Sequence, residues 1–200
     1  LAIQSPEAEA LVNRLIIGQT NDPQPFKKKL ASLKRSKRFV DWRGARKLSG
    51  ELRILLQDLK SSVSDPLIGL EMIADFYKAD ATIFEKCDDS SGLIGDIFRF
   101  EARDLFLDYA ARCSETSKIS DIILKVNKID PYGVRDTLIN VAGRCLPEEI
   151  IRSMIDTLQV GNAGATDEHE KRRKLRAIES LARQINDAKL FEATRIESWG

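Results

Sequence analysis

The stretch EKCDDSSGLIGDIFRFEARDLF, residues 85–106, joins a polar segment of aspartates and serines to a strongly apolar run. Apolar side chains recur in that run and just beyond it at the three- and four-residue spacing of an α-helix. One broad face is made by Ile94, Ile97, Phe98, Leu105, Tyr109 and Cys113, while Phe100 and Leu107 lie off it. A helix that is apolar over so much of its circumference must be covered from more than one side. The pattern therefore predicts a helix over 94–113 that is sandwiched between other helices.

The remainder of the chain carries the same helical periodicity between short polar breaks. Asp65-Pro66 and Asp130-Pro131 stand where helices are expected to begin, because proline in the first turn loses no intrahelical hydrogen bond. Helical apolar spacing covers residues 11–16, 26–33, 48–59, 67–77, 119–126, 134–145, 150–158 and 175–185. No segment shows the sustained two-residue alternation of a strand. The predicted fold class is all-α.

Short connections between consecutive helices predict that the helices pack as antiparallel neighbours. Their two-sided apolar faces suit layers of helix pairs, so we predict an α-solenoid-like array similar to TPR or HEAT arrays. The sequence breaks at DPQP and at GNAGA. These breaks predict an N-terminal helix and turn over 1–22, a main helical-repeat domain over 23–160, and a flexible break with a C-terminal helix over 161–200. Thr166 and Asp167 are expected to cap the C-terminal helix, which is free to pack on the main domain.

The composition indicates a folded protein of a reducing compartment. Apolar residues at 42% and charged residues at 32% exclude both a disordered chain and a membrane protein. Cys87, Cys113 and Cys145 are odd in number and widely spaced, without the pairs of a zinc site or a disulfide framework. We therefore expect a cytoplasmic protein with small buried thiols and no metal or cofactor. The chain begins at Leu1 with no secretory signal in view, as expected for a fragment or for a chain whose start was removed.

The most uneven charge lies between residues 23 and 47. Such a run can grip a nucleic-acid backbone while Phe39 and Trp42 stack on bases. Alternatively, Phe39, Val40 and Trp42 dock the segment onto the helices, and the charges form a solvated or protein-binding face. The segment contains one acid, Asp41, and ten basic residues: Lys27, Lys28, Lys29, Lys34, Arg35, Lys37, Arg38, Arg43, Arg46 and Lys47.

The acidic stretch at the head of the broad-faced helix also has two interpretations. Asp88, Asp89 and Asp96 could hold a divalent cation for a hydrolase or phosphotransferase. However, a calcium loop needs alternating oxygen ligands, and a phosphate loop needs a Gly-Lys-Ser/Thr ending; neither pattern is present. The other interpretation is that an aspartate, or Ser91, caps the helix, because these side chains accept hydrogen bonds from the first backbone N–H groups. We expect capping.

The remaining polar features contain no catalytic set. His169 is the only histidine, so it cannot anchor a typical zinc site or a nucleophilic triad by itself. The basic run at 171–174 follows Glu168 and Glu170 at helical spacing, where opposite charges pair. We therefore expect no enzyme activity.

Three strings together resemble an uncharacterised bacterial family of all-helical repeat domains. They are FVDWR at 39–43, CDDSSGLIGDIF at 87–98 and DPYGV at 130–134, and the resemblance covers residues 26–158. More distantly, they are similar to the helical regions that accompany SWIM-type zinc fingers, although no SWIM-type cysteine and histidine set is present. The resemblance implies an all-helical repeat fold and a bacterial, cytoplasmic protein. It supplies no active-site residue.

From these patterns we predict a non-catalytic helical-repeat scaffold that binds a protein or peptide. The first alternative is nucleic-acid binding through residues 27–47. The second is the cation-dependent hydrolase or phosphotransferase at Asp88, Asp89 and Asp96. No membrane partner is expected, and the sequence leaves the oligomeric state open.

Overall fold

The computed structural model describes residues 21–35, 39–163 and 167–199, and all regular structure within these ranges is helical. The predicted all-α class is confirmed. The predicted helix at 11–16 lies outside the described residues, as do Lys37, Arg38 and Thr166. Within the described ranges, no helix is long and apolar enough to cross a membrane.

The chain divides into two compact units, Leu1–Arg112 and Cys113–Gly200. The predicted domain boundaries after residues 22 and 160 stay a prediction, as does the solenoid-like arrangement. The first unit contains α1 (Gln24–Arg35), α2 (Trp42–Ser62), α3 (Pro66–Tyr77), α4 (Asp80–Phe84), α5 (Leu93–Asp96), a π-helical turn (Ile97–Ala102) and α6 (Arg103–Ala110). The second contains α7 (Thr116–Asn127), α8 (Asp136–Ile139), a 3-10 turn (Ala142–Arg144), α9 (Glu148–Ala163), α10 (Glu168–Gln184) and α11 (Ala188–Trp199).

The core of the first unit forms around α3, whose sequence places apolar residues in two rows. Leu70, Ile73 and Tyr77 on one row are buried, and so are Met72 and Phe76 on the other. Asp65 caps α3 by accepting a hydrogen bond from the N–H of Ile68 at 2.9 Å, with Pro66 in the first turn, as the sequence predicts. Burial of both rows confirms that this helix is covered from more than one side.

Close backbone approach joins α3 to α6. A Cβ atom at Gly69 would overlap the ring of Tyr109, so glycine lets the two helices touch there. The Tyr109 hydroxyl lies within hydrogen-bond distance of the carbonyls of Leu59 and Val63, at 3.1 and 2.9 Å. One aromatic side chain therefore links α6 to α3 and to the end of α2.

The broad-faced helix of residues 94–113 is interrupted by a π-helical turn. Phe98 in this turn is buried against Phe76, with ring centroids 4.7 Å apart, and the buried Tyr77 hydroxyl donates to the carbonyl of Phe98 at 2.7 Å. The π-helical turn thus lies where this helix contacts α3 through both a side chain and a backbone carbonyl. The predicted C-terminal end is wrong, because α6 ends at Ala110 and Cys113 lies beyond it.

The second unit departs from the sequence prediction between residues 130 and 145. The prediction of one helix from Asp130 is wrong, because the structure has only the short α8 and the 3-10 turn there. The Asp130 carboxylate accepts hydrogen bonds from the N–H groups of Val134, Arg135 and Asp136. It thus satisfies the backbone of a loop in which Gly133 has a φ of 63°.

The C-terminal part also contains more structure than predicted. Helix α9 runs through Gly161 to Ala163, where a flexible break was predicted. Asp167 caps α10 by accepting from the N–H of His169 at 3.1 Å, as predicted. The expected single final helix is two, α10 and α11, because Asn186 turns the chain with a φ of 56°.

Candidate functional site

The basic segment begins with an amphipathic helix. Phe26 and Leu30 of α1 are buried, and its lysines point outward. Residues seven apart lie on the same side of a helix, so Lys27 aligns with Lys34 and Lys28 with Arg35. Lys29 differs from these because it forms an ion pair with Asp58 of α2 at 3.0 Å. Helix α1 therefore docks through its apolar side and leaves two basic rows in solvent.

Residues 39–41, which directly precede α2, are pinned by a short parallel bridge. The N–H of Val40 donates to the carbonyl of Lys86 at 2.8 Å, and the N–H of Asp88 donates to the carbonyl of Val40 at 2.8 Å. Asp41 then caps α2 by accepting from the N–H of Gly44 at 2.9 Å. A Cβ at Gly44 would lie 2.8 Å from a methyl of Val40, so glycine is needed for this close turn. The backbone of this segment is thereby held in place on both sides of Val40.

The two aromatic side chains of this segment stay in solvent. Phe39 and Trp42 are each 60% exposed, although their neighbour Val40 is partly buried. The guanidinium of Arg43 lies 5.1 Å from the centre of the Trp42 ring, within the range of a cation–π contact. The expectation that Phe39 and Trp42 dock the segment onto the helices is therefore wrong for both aromatic rings.

We call the exposed cluster at the junction of α1 and α2 the basic–aromatic surface. All of its side chains are exposed. Lys47 lies 4.0 Å from Glu51, one turn away on the same helix, and this is a weak pairing between exposed groups. The surface consists of Lys34, Arg35, Phe39, Trp42, Arg43, Arg46 and Lys47.

A groove of about 350 Å³ lies beside this surface, entirely within the first unit. Its apolar lining comes from Leu33, Val40, Leu48 and Ile83. Its charged lining comes from Asp41, Lys47, Glu51 and Lys86. The aromatic side chain of Phe39 also lines the groove. The ammonium of Lys86, one of the lining residues, donates to the carbonyl of Lys34. The groove thus combines an apolar base with charged groups of both signs, the usual composition of a ligand-binding cleft.

The acidic stretch at 88–96 is engaged mainly with backbone. The two carboxylate oxygens of Asp89 accept from the N–H groups of Ile94 and Gly95, each at 2.8 Å. Asp88 accepts from the N–H of Ser90 at 3.0 Å. Asp89 therefore caps the helix that begins at Leu93, whereas Ser91 and Asp96 are exposed.

Two of the three thiols are held in the protonated form. Burial, together with the nearby carboxylates of Asp89 and then Asp88, raises the pKa of the Cys87 thiol to about 11. Burial likewise raises the pKa of Cys145 to about 11, against a smaller lowering by Arg144. A thiol becomes a strong nucleophile only as the thiolate, so neither group is activated near neutral pH.

Metal-binding residue types are dispersed within the described ranges. No group of three or more His, Cys, Asp or Glu side chains is placed to hold a metal ion among these residues. His169 is exposed at the first turn of α10. The groove was not predictable from the sequence, because its lining comes from α1, α2 and the region of α4, and no local pattern signals that approach.

Comparison with known protein families gives a match. The sequence pattern of a family of unknown function, DUF6880, matches residues 17–198, which is nearly the whole chain. No curated protein and no solved structure matches the chain.

Proposed function

The chain belongs to the family of unknown function DUF6880, and from that premise we propose that it is a non-catalytic helical scaffold that binds a peptide segment of another protein. The groove beside α1 and α2 is the observation that carries this proposal. We further take the helices to form a repeat array in a bacterial cytoplasm, as the resemblance of its sequence strings implies.

The lining of the groove favours a peptide with an apolar anchor residue. Leu33, Leu48 and Ile83 offer an apolar base, and a volume of about 350 Å³ is large enough for one bulky side chain and its flanking backbone. Lys47 is 85% exposed at the side chain, so its ammonium is available to an acidic residue beside the anchor. An acidic–apolar peptide therefore matches both parts of the lining.

The surroundings of the buried cysteines, of Asp89 and of His169 support a non-catalytic role. Cys87 and Cys145 are protonated near neutral pH because their pKa values are raised to about 11. Both oxygens of Asp89 accept backbone hydrogen bonds, and His169 is solvent-exposed at a helix start. General acid–base and nucleophilic catalysis need such groups paired in a pocket, and these side chains are not so arranged.

Peptide binding is tested by selecting a random peptide library displayed on phage against the purified chain. Enriched peptides are then synthesised and titrated against wild type and against Leu48→Trp, in which the added ring fills the groove. Ile54→Trp is the matched control, because Ile54 lies on the same helix, is 49% exposed and does not line the groove.

We expect enriched peptides to carry an apolar residue next to an acid and to bind Leu48→Trp at least tenfold more weakly. Their affinity for Ile54→Trp should equal that for wild type. Circular dichroism must show that both variants keep their helix content. Failure to enrich any peptide, or equal affinity for both tryptophan variants, would remove the groove as a peptide site.

A further inference from the structure

We propose that the basic–aromatic surface binds single-stranded nucleic acid, with bases stacked on Trp42 and Phe39 and phosphates held by the surrounding lysines and arginines. This goes beyond the peptide-binding proposal, because it concerns the outer surface rather than the groove and does not require that proposal to hold. The two sites share only Phe39 and Lys47.

Two neighbouring aromatic rings of the basic–aromatic surface are exposed to solvent. Phe39 and Trp42 each leave 60% of their surface in solvent, three positions apart on one segment. Large aromatic side chains are usually buried, and exposed ones concentrated at one place mark binding surfaces. Every base has a flat face that can stack on such a ring, so aromatic side chains can serve single strands of many sequences.

The backbone that carries the two rings is anchored by hydrogen bonds. Val40 is bonded on both sides to residues 86–88, and Asp41 caps α2, so the chain that carries both rings is fixed at two points. Residues three apart can be separated by no more than about 11 Å at the Cα atoms. The Cα atoms that carry the two rings are therefore held within that distance on an anchored backbone, which lowers the entropy lost on binding.

Positively charged lysines and arginines surround the two rings. Lys34, Arg35, Arg43 and Arg46 make no ion pair with any carboxylate in the described part of the chain. Lys27 and Lys28 extend the same charge along α1 and likewise have no such ion pair there. A phosphate that approaches this surface would compete with few protein carboxylates, so counterion release can drive binding.

Accessible bases are the reason for choosing a single strand. In a duplex the bases stack on one another and present only their edges, so Trp42 and Phe39 could not stack on their faces. A duplex would contact the lysines and arginines alone. The structure therefore predicts a preference for single strands over duplexes of the same length.

The test uses fluorescein-labelled oligonucleotides of twenty nucleotides: oligo(dT), oligo(U) and a mixed-sequence duplex. Fluorescence anisotropy is measured with the full chain at 50 and 200 mM NaCl. One variant removes the rings, Phe39→Ala with Trp42→Ala. A second removes charge, Arg43→Gln with Arg46→Gln and Lys47→Gln. The matched control removes the same charge from exposed positions of the second unit, Lys125→Gln with Lys128→Gln and Lys189→Gln.

We expect single strands to bind and to weaken about 30- to 100-fold between the two salt concentrations, corresponding to about four phosphate contacts. Loss of the rings should weaken single-strand binding at least tenfold without changing the salt slope, since stacking involves no counterion release. Loss of the three charges should flatten the log–log slope by about two. The control variant should bind as wild type does, and the duplex should bind at least tenfold more weakly than the single strand.

A second readout separates nucleic acid from an acidic protein partner. The chain has two tryptophans, so Trp199→Phe leaves Trp42 as the sole indole fluorophore. Stacking on a base should quench its emission, whereas poly-glutamate, an anion without bases, should not. Absence of binding at 50 mM NaCl, equal losses in the charge variant and its control, or unchanged binding after removal of the rings would each overturn the proposal. The groove variant Leu48→Trp should bind nucleic acid as wild type does, so the two proposals fail separately.

Discussion

Asp89 is the residue of the polar stretch before α5 that caps this helix. It bonds two helical N–H groups, whereas Ser91, in the same stretch, is exposed. We predict that Asp89→Ala lowers the free energy of unfolding by about 0.5–2 kcal/mol, since a capping carboxylate is lost. Urea denaturation followed by circular dichroism measures this.

The matched substitution is Ser91→Ala, which removes a capping-type side chain from an exposed position. Its effect should stay within about 0.5 kcal/mol, as for surface substitutions without a structural role. If Ser91→Ala were the more destabilising change, Asp89 would not be the cap.

The two buried thiols predict a loss of stability in alkali. Their pKa values rise from the ordinary value of 9.0 to about 11 in the folded chain, so between these values the unfolded chain binds fewer protons than the folded chain. The free energy of unfolding therefore falls as pH rises from 9 to 11 and is unaffected by these groups below pH 9.

The check is to compare urea denaturation at pH 8 and pH 10.5 for wild type and for Cys87→Ala with Cys145→Ala. Other groups titrate in both proteins, so their contribution cancels in the difference. We expect wild type to lose more stability over this range than the variant. An equal loss in the two proteins would show that the thiols ionise as freely in the fold as in the unfolded chain.

Single-residue predictions from the sequence succeeded where the interaction is local. Asp65 and Asp167 cap their helices because the donor N–H groups lie two or three residues away in the chain. The exposure of Trp42 was not predictable in this way. It depends on how the segment around Val40 pairs with residues 86–88, a contact between distant parts of the chain.

Substitution of two helical glycines tests how closely whole helices pack against their neighbours. Gly50 in α2 has open space where a Cβ would lie, whereas at Gly69 in α3 that position is filled by the Tyr109 ring. Alanine favours a helix over glycine by about 0.5–1 kcal/mol. We predict that Gly50→Ala raises the free energy of unfolding by about that amount.

Gly69→Ala should have the opposite sign despite the same helical preference. The added methyl forces α3 away from α6, and overpacking of this kind costs about 1–3 kcal/mol. Thermal and urea denaturation of the two variants, measured side by side, give the comparison. A stabilising Gly69→Ala would mean that the two helices are not in such close contact.

Helix existence was predictable from periodicity, but interruptions were not. At the π-helical turn, the Tyr77 hydroxyl bonds the carbonyl of Phe98 and so joins two different helices. The loop at 130–136 depends on one carboxylate that bonds three N–H groups. Each feature spans only a few residues and rests on contacts outside the local sequence, so apolar periodicity over a whole helix does not reveal it.

At the scale of the molecule, the two compact units meet in sequence between Arg112 and Cys113. Each unit has its own buried apolar residues, such as Leu55 and Ile73 in the first and Ile123 and Leu181 in the second. We predict that residues 113–200, produced alone, fold into a helical unit that melts cooperatively. Circular dichroism tests this, and a non-cooperative melt with low helix content would show that this unit requires the rest of the chain.

The exposed basic surface also has an electrical consequence. Residues 23–47 contain ten basic residues and one acid, a formal charge of +9, and since the whole chain carries +1 the remaining residues carry −8. The net charge of this segment is therefore opposite in sign to that of the rest of a chain that is nearly neutral in total. At pH 7 and low salt, a cation-exchange resin should therefore retain the protein through this segment, although its total charge is close to zero.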